Sequence, residues 1–267
     1  MKLVHDWLGP LELPDTARRM VSLAPNATET LFALGQGERV VGRSAFCYRP
    51  AATLALPVVS SYTRLRWDLL DQLKPDLVLI STGVQRELLL ELHRRGYPIF
   101  PLPLPQSPYG ILENIVLVGA LLGVAETASE LAARLAQSYQ ALHQSLPPFR
   151  VYLEFDLGGP ITVGRGSYVG EALRHLGLKN IFAEHPQSYF APDLAEVPRR
   201  EPQLVIYEPK PHRARSHEKA QRLLAERNWP YPLVVTGGDE LAHYGPGFFG
   251  YLGKLAAQIR AGVGRHG

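Results

Sequence analysis

The sequence predicts an α/β protein with two Rossmann-like α/β lobes that one long rigid helix joins. Apolar, strand-like runs alternate with helical patterns in both halves of the chain, whereas the middle is helical with almost no strand. The 267 residues, 46% hydrophobic and 20% charged, are enough for two cores. We therefore predict an N-terminal lobe at 1–107, a helical segment at 108–148 and a C-terminal lobe at 149–267.

The first half is predicted from local signals. The apolar run 20–23 is a strand that ends before Pro25, and Asn26 is a plausible N-cap, with Glu29 at capping-box spacing, for a helix that ends at Gly35. The unbroken apolar run 77–80 is typical of a buried parallel strand. The other predicted elements of this half are strands at 40–41 and 99–100 and helices at 67–73 and 87–95.

The middle of the chain predicts helices at 111–123 and 126–146. The second helix has one apolar stripe and a predicted length of about 30 Å. It should limit hinge motion, because bending it would break backbone hydrogen bonds. The second half then predicts strands at 151–155, 161–163, 204–207 and 233–235, and helices at 168–176, 217–227 and 247–261.

Several classes of protein are disfavoured by composition. No run of 18 apolar residues is present for a membrane span, and a net charge of +3 is too small to indicate a nucleic-acid partner. The single cysteine, Cys47, excludes an internal disulfide and a cysteine-based zinc site, and the nine histidines lack metal-ligand spacing. We predict no metal, no cofactor of the protein's own and no catalytic residue, since no nucleophile–base pattern is legible.

Two further expectations concern location and temperature. The residues after Met1 lack the apolar region of an export signal, so the chain as written is expected in the cytoplasm, or in the periplasm if a leader was removed. Abundant proline and few easily oxidised residues fit a heat-adapted protein, although a GC-rich genome would bias the composition in the same way.

Several stretches carry a family resemblance. They are RMVSLAPNATE at 19–29, FCYRP at 46–50, LKPDLV at 73–78, VGRGSYVG at 163–170 and NIF at 180–182. Together they resemble the substrate-binding proteins of cobalamin and iron-siderophore ABC importers, over nearly the whole chain. The resemblance implies two lobes bridged by a rigid helix, with a corrinoid, a ferric siderophore or a haem-type ligand in the cleft between them. It also implies a short hairpin at the start of the domain.

The resemblance also implies docking on importer membrane subunits through one carboxylate in each lobe. In the first lobe this residue is Asp68, seven positions before Pro75. In the second lobe the matching position is Ala195, and Glu196 follows one place on. A protein that binds a corrinoid without delivering it to a membrane is the alternative. In either case we expect a monomer with a small-molecule ligand.

Candidate ligand contacts lie in loops that follow strands, because such loops line the crevice in these folds. Aromatic faces and a few hydrogen-bonding groups suit a large, flat, mostly apolar ligand. The candidates are Asn26, Phe46, Tyr48, Tyr62, Tyr168, Tyr189, Phe190, Asp239 and Tyr244. By resemblance, Tyr62 and the Tyr189–Phe190 pair fall where cobalamin binders often place an aromatic side chain. Each candidate could instead be a loop-packing residue, a cap or a turn residue.

Two other functions stay open. Gly164, Gly166 and Gly170 follow a strand and open a helix, with Glu184 at the distance of a ribose-binding acid, which is compatible with a nucleotide-dependent enzyme. A dinucleotide site, however, normally follows the first strand of its domain, so an ordinary loop is favoured. The fold could also be retained as a partner-binding module.

Overall fold

The computed structural model describes residues 2–6, 8–61, 64–83, 85–210 and 216–263. The chain divides into two compact units. The first unit comprises Met1–Leu104, Ile111–Arg134 and Tyr244–Pro246, and the second comprises Pro105–Gly110, Leu135–His243 and Gly247–Gly267. The predicted lobe boundaries at 107 and 148 stay a prediction. None of the helices in the described ranges has the length and hydrophobicity to cross a membrane.

The first unit is built on a parallel sheet. An antiparallel hairpin, β1 (Lys2–His5) and β2 (Gly9–Glu12), precedes it and contributes Leu8 and Leu11 to the core. The sheet strands are β3 (Met20–Ser22), β4 (Val40–Ser44), β5 (Val58–Ser60), β6 (Leu77–Ser81) and β7 (Ile99–Leu102), in the order β5-β4-β3-β6-β7. Every pairing is parallel, so the carboxyl ends of these strands lie at one edge.

Helices cover this sheet, which explains why its strands are apolar on both faces. They are α1 (Pro25–Ala33), α2 (Trp67–Leu73) and α3 (Arg86–Arg94). The core includes Val21 and Val78 from the sheet, Leu70 from α2, and Leu89 and Leu92 from α3, each fully buried.

The middle of the chain holds two separate helices, as predicted, but the second is shorter than predicted. They are α4 (Pro108–Leu121) and α5 (Ala125–Gln140), and each has residues in both units. One long helix that joins the two lobes is not shown. At 16 residues, α5 is about 24 Å long and ends six residues before Leu146. The chain leaves the helix because Gln144 is left-handed, with φ 49°, and the N–H groups of Gln144 and Leu146 donate to the carbonyls of His175 and Leu176.

The second unit has a mixed sheet of strands β8 (Arg150–Asp156), β9 (Pro160–Val163), β10 (Lys179–Asn180), β11 (Tyr189–Phe190), β12 (Leu204–Glu208) and β13 (Leu233–Val235). The order is β11-β9-β8-β12-β13, with β10 beside the start of β8. β8, β12 and β13 run parallel, whereas β9 pairs antiparallel with β8, and β11 pairs antiparallel with β9. The helices are α6 (Tyr168–His175), α7 (Glu196–Arg199), α8 (Ser216–Glu226) and α9 (Phe248–Val263).

One face of β8 carries buried charge. The Glu154 carboxylate pairs with both terminal nitrogens of Arg227, at 2.6 and 3.1 Å, and accepts a hydrogen bond from the Tyr152 hydroxyl at 2.9 Å. Asp156 pairs with Lys219 at 2.6 Å. Burial alone would raise the pKa of Asp156, but this ammonium holds it below its usual value. These pairs join the sheet to α8 and the turn after it.

Candidate functional site

Asn26 lies at the carboxyl end of β3, but it is not the N-cap that the sequence predicted. The helix begins at Pro25, and Ala24, two residues before Asn26, occupies the N-cap without a side-chain hydrogen bond. Proline suits the first helical position because its fixed φ is helical and its missing N–H would be unsatisfied there anyway. Asn26 is 3% exposed, and its Oδ1 has no hydrogen-bond partner among the described residues.

Gln85 links the carboxyl ends of β3 and β6. Its Nε2 donates to the carbonyl of Leu23 at 2.9 Å, and its Oε1 accepts from the N–H of Ser81 at 3.2 Å. The side chain is buried, so these bonds are shielded from water. The carboxyl ends of β3 and β6 are therefore held at a fixed spacing.

Tyr244 belongs to the first unit, although the residues before and after the segment Tyr244–Pro246 belong to the second. Its hydroxyl shares a hydrogen bond with Ser81, and burial raises the pKa of Tyr244 above its usual value. Next to it, Gly245 lies so close to the Glu29 carboxylate that a Cβ at this position would collide with it. The structure thus brings Tyr244 to the same strand ends as Asn26 and Gln85.

Apolar side chains are exposed where β4 and β7 end. Phe46 and Tyr48 follow β4, with Phe46 38% exposed and Tyr48 half-buried. Buried Arg43 fixes this loop, since its guanidinium donates to the carbonyls of Ser44 and Thr53. Leu104, 40% exposed, follows β7 and was missed by the sequence reasoning. Tyr62, which follows β5, lies outside the described residues.

In the second unit the Tyr189–Phe190 pair is divided between two faces of the sheet. Neighbouring residues of a strand point to opposite faces. Phe190 stacks on His185, with ring centroids 3.5 Å apart, and packs on the core of the unit. Tyr189 lies 6.5 Å from Tyr168. The two aromatic rings therefore do not form one continuous surface.

Tyr168 occupies the first turn of α6 and is buried. Its hydroxyl donates to the carbonyl of Leu241 at 2.8 Å, and its ring packs edge-on against Phe248. This placement indicates a packing and positioning role, and contact of Tyr168 with a ligand stays a prediction.

The loops after β8 and β13 carry exposed Leu157 and half-buried Asp239. Leu157, 55% exposed, lies in the turn after β8 and was also missed from sequence. Asp239 follows β13 with φ 52°, a left-handed conformation that Asp tolerates better than most residues. It lies near Glu208, a fully buried carboxylate at the end of β12, and adds to the effect of burial, which raises the pKa of Glu208 to about 7.

The glycine stretch at 164–170 packs against protein rather than surrounding a phosphate. A Cβ on Gly164 would lie 2.6 Å from the carbonyl oxygen of His185 and closer still to that of Gln187. The N–H of Gly164 donates to Ser188, and Ser167 caps α6 by accepting from the N–H groups of residues 169 and 170. The N–H groups of residues 164, 165, 169 and 170 are therefore engaged within the protein and are not offered to a phosphate.

The two predicted docking carboxylates differ in environment. Asp68 is exposed in the first turn of α2. Glu196, the first residue of α7, is half-exposed and pairs with Arg200 at 2.9 Å. Docking through either residue stays a prediction. Within the described ranges, no group of three or more His, Cys, Asp or Glu side chains is placed to hold a metal ion.

Comparison with known proteins gives a family match over most of the chain. The family described as periplasmic binding protein matches residues 20–230. The vitamin B12-binding protein of Pectobacterium carotovorum subsp. carotovorum is 26% identical over 270 residues, which cover 96% of this chain and 94% of that protein. The cobalamin-binding protein of Halobacterium salinarum is 27% identical over 205 residues, 73% of this chain. The match spans about half of the Halobacterium protein, 55% of its length.

Two solved structures share the fold. The periplasmic vitamin B12 binding protein BtuF of Vibrio cholerae superposes with a TM-score of 0.77 at 21% identity, covering 92% of this chain and 98% of that one. The periplasmic heme-binding protein RhuT from Roseiflexus sp. RS-1 superposes with a TM-score of 0.75 at 24% identity, covering 92% and 99%. At these identities the structures establish similarity of fold alone.

Proposed function

The chain belongs to the periplasmic binding protein family, and from that premise we propose that it is a non-enzymatic binding protein for a corrinoid. The proposed contacts are Asn26, Phe46, Tyr48, Tyr62, Leu104 and Tyr244, and, from the second unit, Leu157, Tyr189 and Asp239. Relatives named for vitamin B12 or cobalamin, at 26% and 27% identity, support this choice of ligand.

The observation that carries the proposal is the exposure of large apolar side chains where strands end. Phe46, Leu104 and Leu157 each follow the carboxyl end of a parallel strand and each expose more than a third of their surface. In α/β proteins, ligands bind at the edge of the sheet where the strands end. A flat, mostly apolar ligand requires exposed apolar side chains at that edge. The buried Oδ1 of Asn26, which has no partner within the described ranges, supplies a polar group of the kind that fixes orientation in such sites.

The test is titration of the purified chain with cyanocobalamin, haemin and a ferric hydroxamate siderophore, followed by calorimetry and by thermal unfolding. We expect cyanocobalamin to bind most tightly. A ligand at 1,000 times its Kd should stabilise the protein by about 4 kcal/mol. If haemin binds more tightly than cyanocobalamin, the ligand is of the haem type rather than a corrinoid. Failure of all three to bind would favour a partner-binding module.

Matched variants separate the site from general apolar surface. Leu104→Ala and Leu157→Ala should each weaken cyanocobalamin binding about tenfold, because each removes an apolar side chain that the ligand would bury. Leu117→Ala on α4 is the control, since Leu117 is 43% exposed, close to the 40% of Leu104, but does not follow a strand. Equal effects of Leu104→Ala and Leu117→Ala would refute the placement of the site.

We also propose that the protein works outside the cytoplasm and docks on importer membrane subunits through Asp68 and Glu196. Family membership and the exposure of Asp68 support this proposal. Asp68→Asn should abolish ligand-stimulated ATP hydrolysis by a reconstituted cognate importer without changing the Kd for cyanocobalamin. Glu226→Gln, at an exposed carboxylate on α8, is the control. Unchanged stimulation by Asp68→Asn would exclude docking through this residue.

A further inference from the structure

The loop at 236–243 connects β13 to the segment Tyr244–Pro246. It carries Asp239 and leads directly into Tyr244, two of the proposed ligand contacts. The conformation of this loop therefore decides where the Asp239 side chain lies, and the residues that hold the loop bear on ligand binding.

Glu208 holds the loop from β12. Its carboxylate is 2% exposed and accepts hydrogen bonds from the N–H of Leu241 at 2.8 and 3.0 Å, from the N–H of Ala242 at 2.7 Å and from the Thr236 hydroxyl at 3.1 Å. Hydrogen bonds to an ionised acceptor are stronger than neutral ones, above all in a buried setting. A single side chain thus fixes both ends of the loop.

The other peptide group of Leu241 is held from a different element. The Tyr168 hydroxyl on α6 donates to the Leu241 carbonyl at 2.8 Å, so buried side chains engage both the N–H and the C=O of this residue. Glu240 adds a further restraint, because it accepts from the N–H of Gly237 and pairs with Lys254 of α9.

We infer that Glu208 is a positioning residue for ligand binding: with Tyr168, it fixes the 236–243 loop in the conformation that presents Asp239 to the ligand. This inference rests on the proposed function, since it takes Asp239 as a contact. It assigns Tyr168 to the support of the loop, a role that its burial and its bonded hydroxyl explain better than direct ligand contact.

The hold of Glu208 on the loop depends on protonation. A neutral carboxyl group carries an O–H proton, whereas the groups hydrogen-bonded to Glu208 all donate to it. The protonated oxygen therefore cannot accept every hydrogen bond that the carboxylate accepts. Burial raises the pKa of Glu208 to about 7, and the negative charge of Asp239 acts in the same direction. Glu240 is paired with Lys254, and His243 is buried at the end of the loop.

The charged side chains of β8 lie on the face of the sheet opposite to the Glu208 side chain. Phe155 is the β8 neighbour of Glu208, and Glu154 and Asp156 alternate with it and point the opposite way. On α6 the group directed at the loop is the Tyr168 hydroxyl. In the described part of the chain, the loop that Glu208 holds thus carries Asp239, Glu240 with its Lys254 partner, and His243 as its titratable groups.

The experiment measures the Kd for cyanocobalamin between pH 6 and 8. If only the ionised form presents the loop, a group that titrates near pH 7 weakens binding about tenfold between pH 8 and pH 6. Glu208→Gln should bind about tenfold more weakly than the wild type at pH 8, with a Kd that no longer changes with pH. Tyr168→Phe should bind more weakly but keep the pH dependence, because it removes one hydrogen bond and no titrating group.

Glu154→Gln is the matched control, a second buried carboxylate on the opposite face of the same sheet. It should lower the melting temperature while leaving the pH dependence of Kd unchanged. The same pH dependence in Glu208→Gln as in the wild type would overturn the inference.

A ligand-free measurement separates this inference from the proposed function. In the wild type, hydrogen-exchange protection of the Leu241 and Ala242 amides, corrected for intrinsic rates, should fall about tenfold from pH 8 to pH 6, and in Glu208→Gln it should be low at both. If the exchange pattern is as expected but none of the ligands binds, the corrinoid proposal and the ligand role of the loop are refuted. Protection that does not change with pH would refute the hold of Glu208 on the loop.

Discussion

Replacement of Gly164 by alanine tests whether the glycine stretch packs against protein. The added Cβ would lie 2.6 Å from the carbonyl oxygen of His185, where ordinary contact begins at 3.4 Å, and closer still to that of Gln187. Both obstacles are backbone atoms, so the segments must separate by at least about 0.8 Å, which also strains the hydrogen bond from Gly164 to Ser188. Overpacking of this kind costs about 2–3 kcal/mol.

Two neighbouring glycines provide graded controls for this prediction. Gly166 has φ 72°, so Gly166→Ala should cost about 1 kcal/mol in backbone strain. A Cβ on Gly159 would meet no atom within 4 Å, and the φ of this residue is not left-handed, so Gly159→Ala should be neutral or slightly stabilising. Thermal unfolding should place Gly164→Ala about 5–10 °C below the wild type. Equal stability of Gly164→Ala and Gly159→Ala would refute the packing role.

Three further predictions concern the second unit. Arg227→Met leaves the buried Glu154 carboxylate without its cation and should lower the free energy of unfolding by about 3–5 kcal/mol. Adding Glu154→Gln should restore most of this loss, which thermal unfolding of the single and double variants will check. Ser167→Ala removes the N-cap of α6 and should cost about 1 kcal/mol in urea unfolding; no loss would contradict the cap. Burial lowers the pKa of His175, so folding favours its neutral form and stability should fall as the pH drops below about 6.5. His175→Gln should remove that part of the pH dependence in denaturant titrations, and an unchanged profile would contradict the assignment.

Local patterns predicted most of the regular structure. The bounds of α2 and β13 were predicted as observed, and β6 and α6 differ from the prediction by one residue. The family match confirms the resemblance to substrate-binding proteins and, with it, a binding protein rather than an enzyme. The elements β5, β10 and α7 were missed, because their short sequences, VVS, KN and EVPR, include polar residues and show neither an apolar run nor a period.

The site was predicted less completely than the fold. Loop aromatic residues such as Phe46 and Tyr48 could be proposed because they follow strands, but no local pattern indicated that Tyr168 is buried with its hydroxyl bonded. Leu157 and Glu208 were missed, although a glutamate that ends an apolar strand was a usable signal. Heat adaptation stays a prediction, which the melting temperature of the wild type in these experiments will test.

The sequence by itself determined the α/β class and the alternation of strands and helices, since hydrophobic periodicity, glycines and prolines act over a few residues. Tertiary structure alone decided where α5 ends, because the chain at 144–146 bonds to the end of α6, about 30 residues away. It also decided that Glu208 meets Leu241 and that Tyr244 meets Ser81. Contacts between residues distant in sequence depend on how the elements pack, and no local pattern encodes them.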